Sequence, residues 1–414
     1  MQDAQRSRRE FLGQTALGLA ALGLSARTAA AEVRPVSEVS GMRYDDYVGL
    51  PVTEVPTPAL LVDLDIFERN IALMANVCRQ RGTAYRPHGK AHKSPLVGAM
   101  QLKAGAIGLC AGKLGEAEVF VDGGITDVLI TTEVVGRRKI QRLMRLAKTS
   151  NALKVVVDNE QNVAELAGAA KDAGLRLTVL VDVNVGQNRT GVETAAEAAA
   201  LARAIARAPS LRFGGVQAYG GHNMHVVGFE NRKRASLLAL ERAVAARKAI
   251  EESGLPVEIL SVGGTGTYNI DTSVTGVTEI QPGSYIFMDL QYRGIGSDTS
   301  DTFSDFGNSL SVMTTIISRP TKGRAVTDGG HKALSSDAGL AAPKDGRGLQ
   351  FQPGGDEHGI LLLKDPSRDF KVGDQVEFIP SHCDTTVNLH EVFWATRKGA
   401  VEAVWPIAAR GRTD

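Results

Sequence analysis

The chain has 414 residues, 43% of them apolar and 22% charged, with 47 basic against 46 acidic side chains for a net charge of +1. That balance gives no electrostatic footprint for nucleic acid or an anionic membrane, and the apolar share can bury a large core, so a disordered chain is excluded. Cys78, Cys110 and Cys383 are too few and too scattered for a disulfide framework or a paired-cysteine zinc site, while the length suits two domains or one barrel with an added domain.

The first segment reads as an address. Ser7-Arg8-Arg9-Glu10-Phe11-Leu12 opens an uncharged stretch that runs to Ala26, and Ala29-Ala30-Ala31 supplies small residues for cleavage. The stretch is too short and too rich in Ala and Gly to hold a bilayer, where about 20 strongly apolar residues are needed. Residues 1–31 look like a twin-arginine signal peptide, which exports a protein already folded. Losing Arg6, Arg8, Arg9 and Arg27 against Asp3 and Glu10 takes the net charge from +1 to −1, as expected for a soluble periplasmic protein with no stable membrane association.

Residues 32–62 are expected to pack with a later β domain, because Ala59 to Asp63 is strand-like. Eight short β-branched runs then come in succession, near Ala84 to His88, Ile107 to Cys110, Val128 to Thr131, Leu153 to Val157, Leu177 to Asp182, Phe213 to Ala218, Val257 to Val262 and Glu279 to Phe287. Helical stretches such as Asn159 to Ala173, Thr194 to Ala208 and Glu230 to Ser253 separate them, with apolar residues at 3.6-residue spacing. Eight βα units over residues 63–298 predict an α/β fold with a (β/α)8 barrel, favoured over a doubly wound open sheet. Residues 299–414 read as a mainly β domain, with strand-like Ser309 to Ile317, Ile360 to Leu363, Gln375 to Ile379 and Val392 to Ala395.

In a barrel the C-terminal strand ends build the active site, so the residues just past each run carry the chemistry. The first run leads into Arg86-Pro87-His88-Gly89-Lys90-Ala91-His92-Lys93. Alone this is a solvated basic loop; at a strand end, Lys90 is an amine whose cationic neighbours lower its pKa and ready it for a Schiff base with an aldehyde. The fifth run is followed by Asp182 to Gly191, which offers Arg189 and several amides. The sixth offers the flat face of Tyr219 and the base His225. The seventh ends in Gly263-Gly264-Thr265-Gly266-Thr267, whose backbone N–H groups can cradle a phosphate, and the eighth carries Tyr285. An amine, an anion cradle, an aromatic face and a base at one rim suit pyridoxal phosphate.

These residues resemble a known family. The barrel looks like the alanine racemase N-terminal domain of the fold-type III pyridoxal phosphate enzymes. The chain from Thr57-Pro58-Ala59-Leu60 through His88-Gly89-Lys90 to Pro380-Ser381-His382-Cys383-Asp384 is similar to bacterial D-threonine aldolases, with D-serine dehydratases and 3-hydroxy-D-aspartate aldolases close by. The resemblance implies that Lys90 holds the cofactor, Arg189 contacts its ring oxygen, Tyr219 flanks the ring, and Gly264, Thr265, Gly266 and Tyr285 hold the phosphate. It also implies a homodimer.

By itself His382-x-Asp384 reads more readily as a hydrogen-bonded core histidine beside an acid than as a metal site. The resemblance turns the pair into ligands for a divalent ion, Mn²⁺ first, with Mg²⁺ or Zn²⁺ as alternatives. Extended chain there would put His382 and Asp384 on one side and Cys383 on the other. The dehydratases carry a cysteine where this chain has Asp384, which favours an aldolase ligand set, although a bulge would turn Cys383 toward the ion.

The implied reaction is retro-aldol cleavage of a D-3-hydroxy amino acid such as D-threonine to glycine and an aldehyde, and the clustering of His225 with Lys90, Arg189 and Tyr219 at strand ends makes His225 the candidate base. The alternatives are a dehydratase giving a 2-oxo acid and ammonia, or a non-catalytic pyridoxal phosphate carrier, which the added β domain argues against. Asp356-Glu357-His358 is expected to support the metal or form a domain contact, while His331 and His390 have no assigned chemistry. Cys78 and Cys110 are expected to be buried thiols.

Overall fold

The computed structural model describes residues 43–414, so the expected signal peptide, residues 1–31, lies outside the described residues. The chain enters through β1, Ala59–Asp63, and the Asp63 side chain accepts the Ile66 N–H at 3.1 Å to cap the helix Leu64–Arg81. Gly82 ends that helix in the left-handed region at φ 66, which costs a glycine nothing. The same start recurs around the barrel: Asn159 caps the helix Glu160–Ala173, and Thr194 with Glu197 forms a reciprocal capping box on Ala195–Arg207.

Eight parallel strands come next: β2 (Ala84–Tyr85), β3 (Leu109–Ala111), β4 (Val128–Ile130), β5 (Lys154–Val157), β6 (Leu177–Asp182), β7 (Leu211–Ala218), β8 (Ile259–Val262) and β9 (Glu279–Ile280). Neighbours pair in chain order, and β2 pairs with β9. A parallel bridge between His88 and Cys110, with Tyr85 O accepting from Ile107 N–H at 3.1 Å and Pro87 O from Cys110 N–H at 2.8 Å, joins β2 to β3. The sheet is therefore a closed (β/α)8 barrel, and the open-sheet alternative is overturned. The first and last strands are shorter than expected. Pro87 and Pro282 lack the N–H a ladder needs, and the chain after Ile280 turns through Ser284–Ile286 instead of running extended to Phe287.

Strand side chains alternate between faces. Cys110, Leu129, Val156 and Leu180 form a small cluster of their own, apart from the main core that holds Val155, Val157, Val179 and Val181. The small cluster lies at one parity, which assigns it to the barrel lumen and the other set to the helices. Asp182 shares the parity of Leu180, so the inward series ends in polar groups at the C-terminal mouth.

The β domain is a nine-stranded sheet whose main path includes β10 (Leu310–Thr321), β11 (Arg324–Thr327), β13 (Leu349–Pro353), β14 (Gly359–Leu363), β16 (Val392–Arg397) and β17 (Ala400–Pro406). Short β12 (Ala342–Pro343) and β15 (Gln375–Ile379) pair with one another off this path. The first strand among the described residues, β1, lies inside this sheet, antiparallel to β10 and parallel to β16. After β15 the chain docks on the barrel rim: Leu290 N–H donates to Pro380 O at 3.1 Å, and Gln291 N–H to Ser381 O at 3.2 Å. That junction brings His382 and Asp384 to the barrel mouth. Among the described residues no helix is long and apolar enough to cross a membrane, and Cys78, Cys110 and Cys383 are free and buried.

Candidate active site

Lys90 sits in the single helical turn Gly89–Ala91 that comes directly after the His88 bridge. A Cβ on Gly89 would lie 2.4 Å from the Phe120 ring, so only glycine lets the turn press this closely on its neighbour. His88 Nδ1 accepts from the Lys90 N–H at 3.4 Å, and its Nε2 lies 3.1 Å from Thr131 Oγ1. Burial holds His88 well below the ordinary histidine range, with the Lys90 charge adding to the effect, so it is a neutral hydrogen-bonding post. The Lys90 side chain is 46% exposed at the mouth, with Nζ 3.0 Å from Asp384 Oδ2.

That contact corrects the expectation of a lowered lysine pKa. The Asp384 carboxylate, which outweighs burial, pushes the Lys90 amine above its usual range. Conversely, burial opposes ionisation of Asp384, but Lys90 and His382 together hold its carboxyl well below the usual range. Asp384 Oδ1 also accepts from Ser284 Oγ at 3.3 Å.

Around the rim, Arg189 places its guanidinium 5.6 Å from the centroid of the Tyr219 ring. Its loop is shaped by Asn184, whose Oδ1 accepts from the N–H groups of Gly186 at 2.9 Å and Asn188 at 3.0 Å. The Gly264-Thr265-Gly266 turn lies beside Tyr219: a Cβ on Gly264 would stand 3.5 Å from that ring and 2.8 Å from Met224 Sδ. A Cβ on Gly266 would lie 2.1 Å from the Met224 carbonyl oxygen. Thr265 Oγ1 accepts the Tyr285 N–H at 3.1 Å, tying the turn to the end of the last strand. Beneath it the buried Arg232 donates from Nε to Gly266 O at 2.7 Å and from Nη2 to Gly296 O at 2.7 Å. The Tyr285 phenol points the other way, fully buried and accepting from Gln101 Nε2 at 3.0 Å.

His225 stacks on Tyr292 with ring centroids 4.4 Å apart. Its Nε2 is buried and has no hydrogen-bond partner among the described residues. Burial, with His382 and Lys90 nearby, lowers the imidazole to about 4, so it is neutral and able to accept a proton at pH 7.

The segment expected to run extended through His382-Cys383-Asp384 instead starts a helix, Cys383–Val387, with His382 as its N-cap. The cause is Asp289, whose Oδ2 accepts the Cys383 N–H at 2.9 Å while its Oδ1 caps Leu290–Arg293 through Tyr292 at 2.9 Å. Cys383 is fully buried, and burial raises its thiol well above the ordinary range. His382 Nδ1 lies 2.7 Å from Asp337 Oδ2. Asp337 is held down to about 2: burial opposes the shift, and the hydrogen bonds from Ser335, His382 and Thr385 exceed it.

Among the described residues no group of three or more His, Cys, Asp or Glu side chains is gathered as a metal cluster. The donor set nonetheless fits a weakly held divalent ion. Among the described residues His382 Nε2 has no protein partner, Asp384 is ionised, and the orphaned His225 Nε2 lies in the same electrostatic neighbourhood. The glycine turn and the strand-end Lys90 likewise fit pyridoxal phosphate. Asp356, Glu357 and His358 are exposed at the β13–β14 turn, where Glu357 pairs with Lys332 at 2.5 Å. His331 lies 3.3 Å from Ser336, and His390 donates to Ala333 O at 2.9 Å. Sequence reasoning missed Asp337, Ser284 and Asp289. Of these, Asp289 carries a readable signal as a helix N-cap.

The alanine racemase N-terminal domain family matches residues 62–291, and the serine dehydratase domain family matches residues 309–396. The 3-hydroxy-D-aspartate aldolase of Paracoccus denitrificans is 40% identical over 368 residues, covering 88% of this chain and 94% of that protein. The crystal structure of D-threonine aldolase from Filomicrobium marinum superposes with a TM-score of 0.85 at 38% identity, covering 89% of this chain and 99% of that one. The D-threo-3-hydroxyaspartate dehydratase of Delftia sp. is 33% identical over 354 residues, covering 80% of this chain and 91% of that protein. A cysteine-to-alanine variant of such a dehydratase has been solved in a metal-free form. The chain belongs to the fold-type III pyridoxal phosphate enzymes, in the branch that holds the D-threonine aldolases, the 3-hydroxy-D-aspartate aldolases and the D-serine dehydratases.

Proposed function

We propose that this enzyme is a carbon–carbon lyase that cleaves D-threonine and related D-3-hydroxy amino acids to glycine and an aldehyde. The observation that carries the reading is the meeting of Lys90 with Asp384, 3.0 Å apart, at a rim that also holds His225 and His382. Pyridoxal phosphate, when bound, supplies the electron sink that takes the pair left on Cα. Lys90 would anchor the cofactor, the Gly264-Thr265-Gly266 turn would offer N–H groups to its phosphate, Tyr219 would cover the ring, and Arg189 would support the ring oxygen. Tyr285 contributes through its backbone, since its phenol is turned into the core.

In the cleavage step the Cα–Cβ bond breaks, the Cβ–O bond becomes a carbonyl, and the hydroxyl proton moves to His225 Nε2. A proton then returns to Cα to give glycine. His225 suits this role because it is neutral and its Nε2 has no other partner. His382 and Asp384 would hold a divalent ion, Mn²⁺ in the first instance, which acidifies the substrate hydroxyl. Asp384 in place of a cysteine, and a Cys383 buried as a neutral thiol, favour this reading over dehydration.

Incubation with D-threonine, 3-hydroxy-D-aspartate and D-serine in the presence of Mn²⁺ tests the proposal. Glycine with an aldehyde supports it; a 2-oxo acid with ammonia makes the chain a dehydratase. The proposal extends to a periplasmic homodimer that takes small-molecule substrate and neither nucleic acid nor membrane. Replacing Arg8 and Arg9 by lysine should leave the protein in the cytoplasm on fractionation, and sedimentation should give twice the chain mass.

A further inference from the structure

A carboxylate from a different part of the β domain is built onto His382. Asp337 lies in the connection between β11 and β12, 45 residues before the histidine in sequence, and its Oδ2 is 2.7 Å from His382 Nδ1. The other oxygen, Oδ1, accepts from Ser335 Oγ at 2.5 Å and from Thr385 Oγ1 at 2.8 Å. Thr385 is the residue next to Asp384, so one carboxylate grips the segment on both sides of Asp384. The connection is itself fastened to that segment: Ser381 Oγ donates to Ser335 O at 3.1 Å, Ser335 N–H to Thr386 Oγ1 at 3.3 Å, and His390 Nε2 to Ala333 O at 2.9 Å.

A neutral imidazole carries its proton on one nitrogen and a lone pair on the other. An ionised carboxylate can only accept, so its contact with Nδ1 places the proton there and leaves the lone pair on Nε2. We propose that Asp337 is a positioning residue that fixes His382 as the Nδ1–H tautomer and presents Nε2 to a divalent cation. The inference rests on the proposed metal role of His382 and Asp384. It adds a partner drawn from outside the His382-Cys383-Asp384 motif, and it explains why a half-exposed aspartate is held by three donors. A carboxylate behind a ligating imidazole both orients the ring and raises its basicity.

The test uses the cofactor-loaded enzyme and Mn²⁺ alone, with free Mn²⁺ followed by electron paramagnetic resonance during titration. Asp337→Asn keeps the shape but lets an amide N–H₂ face Nδ1, which favours the wrong tautomer. It should weaken Mn²⁺ binding roughly 10- to 100-fold, with the visible cofactor absorbance and the melting temperature retained. A Ser335→Ala/Thr385→Val double variant removes the hydroxyls that hold Asp337, and should weaken Mn²⁺ several-fold; it decides the matter if Asp337→Asn does not fold. His382→Ala should abolish Mn²⁺ binding. If His382→Ala abolishes it while the Asp337 and Ser335/Thr385 variants bind as the parent does, the role of Asp337 is overturned and the metal reading stands. If His382→Ala also binds normally, the metal reading fails and the inference falls with it.

Discussion

Lys90 Nζ and Asp384 Oδ2 stand 3.0 Å apart, joining the amine proposed to anchor the cofactor to a carboxylate from the β domain. The amine must be neutral to attack an aldehyde, and its partner keeps it protonated. Asp384→Asn should therefore move the pH midpoint for reloading the stripped enzyme with pyridoxal phosphate to lower values. Growth of the visible band against pH measures this. A midpoint that stays put or rises would show that Asp384 does not govern the amine.

Among the described residues His225 Nε2 has no hydrogen-bond partner, and the imidazole is lowered to about 4 by burial, with His382 and Lys90 nearby. As the base it should be competent throughout the neutral range and lose activity only as pH falls toward about 4. His225→Gln should reduce kcat by about 10²- to 10⁴-fold with the cofactor band unchanged. A variant that turns over normally would move the base elsewhere.

The turn proposed to cradle the phosphate has no room for a side chain at Gly266, where a Cβ would come within 2.1 Å of the Met224 backbone oxygen. A backbone atom cannot rotate away, so Gly266→Ala must shift the turn itself. The expected results are a destabilisation of about 1–3 kcal/mol by urea unfolding and faster loss of cofactor on dialysis. Unchanged cofactor retention would place the phosphate away from this turn.

His88 and His92 are buried and held neutral, His92 at about 4 chiefly by burial. The unfolded chain takes up a proton near pH 6.5 while these folded imidazoles do not. The depressed pKa of His92 therefore contributes stability above pH 6.5 that is lost as pH falls toward about 4. It adds a slope of up to about 1.4 kcal/mol per pH unit across that window. His92→Gln should flatten the fall in the urea midpoint between pH 6 and pH 4.5 relative to the parent, whatever it does to stability at pH 8.

Removing divalent ions should separate the two halves of the site. Dialysis against a chelator is expected to abolish turnover of D-threonine while leaving the visible band, because Lys90 and the glycine turn need no metal. Added Mn²⁺ should restore it. Full activity after chelation would reduce His382 and Asp384 to structural roles.

The sequence by itself determined the repeating units and the chemistry of each strand end, because both are local. Apolar spacing marks a strand or a helix within a dozen residues, and Lys90, Arg189, Tyr219, His225 and Gly264 to Gly266 each lie in the loop that follows such a run. Tertiary structure decided everything that depends on partners far along the chain. The barrel closes through His88 and Cys110, Asp289 turns the segment after His382 into a helix from 94 residues away, and Asp337 reaches His382 across 45. Tyr285 turns its phenol inward because Gln101, 184 residues earlier, waits there. Hydrogen bonds between distant residues form only after the sheets have packed, and buried polar groups then take whichever partner the packing supplies. The reactive groups are therefore written along the chain, while their orientation and protonation are set by the docking of the β domain on the barrel rim.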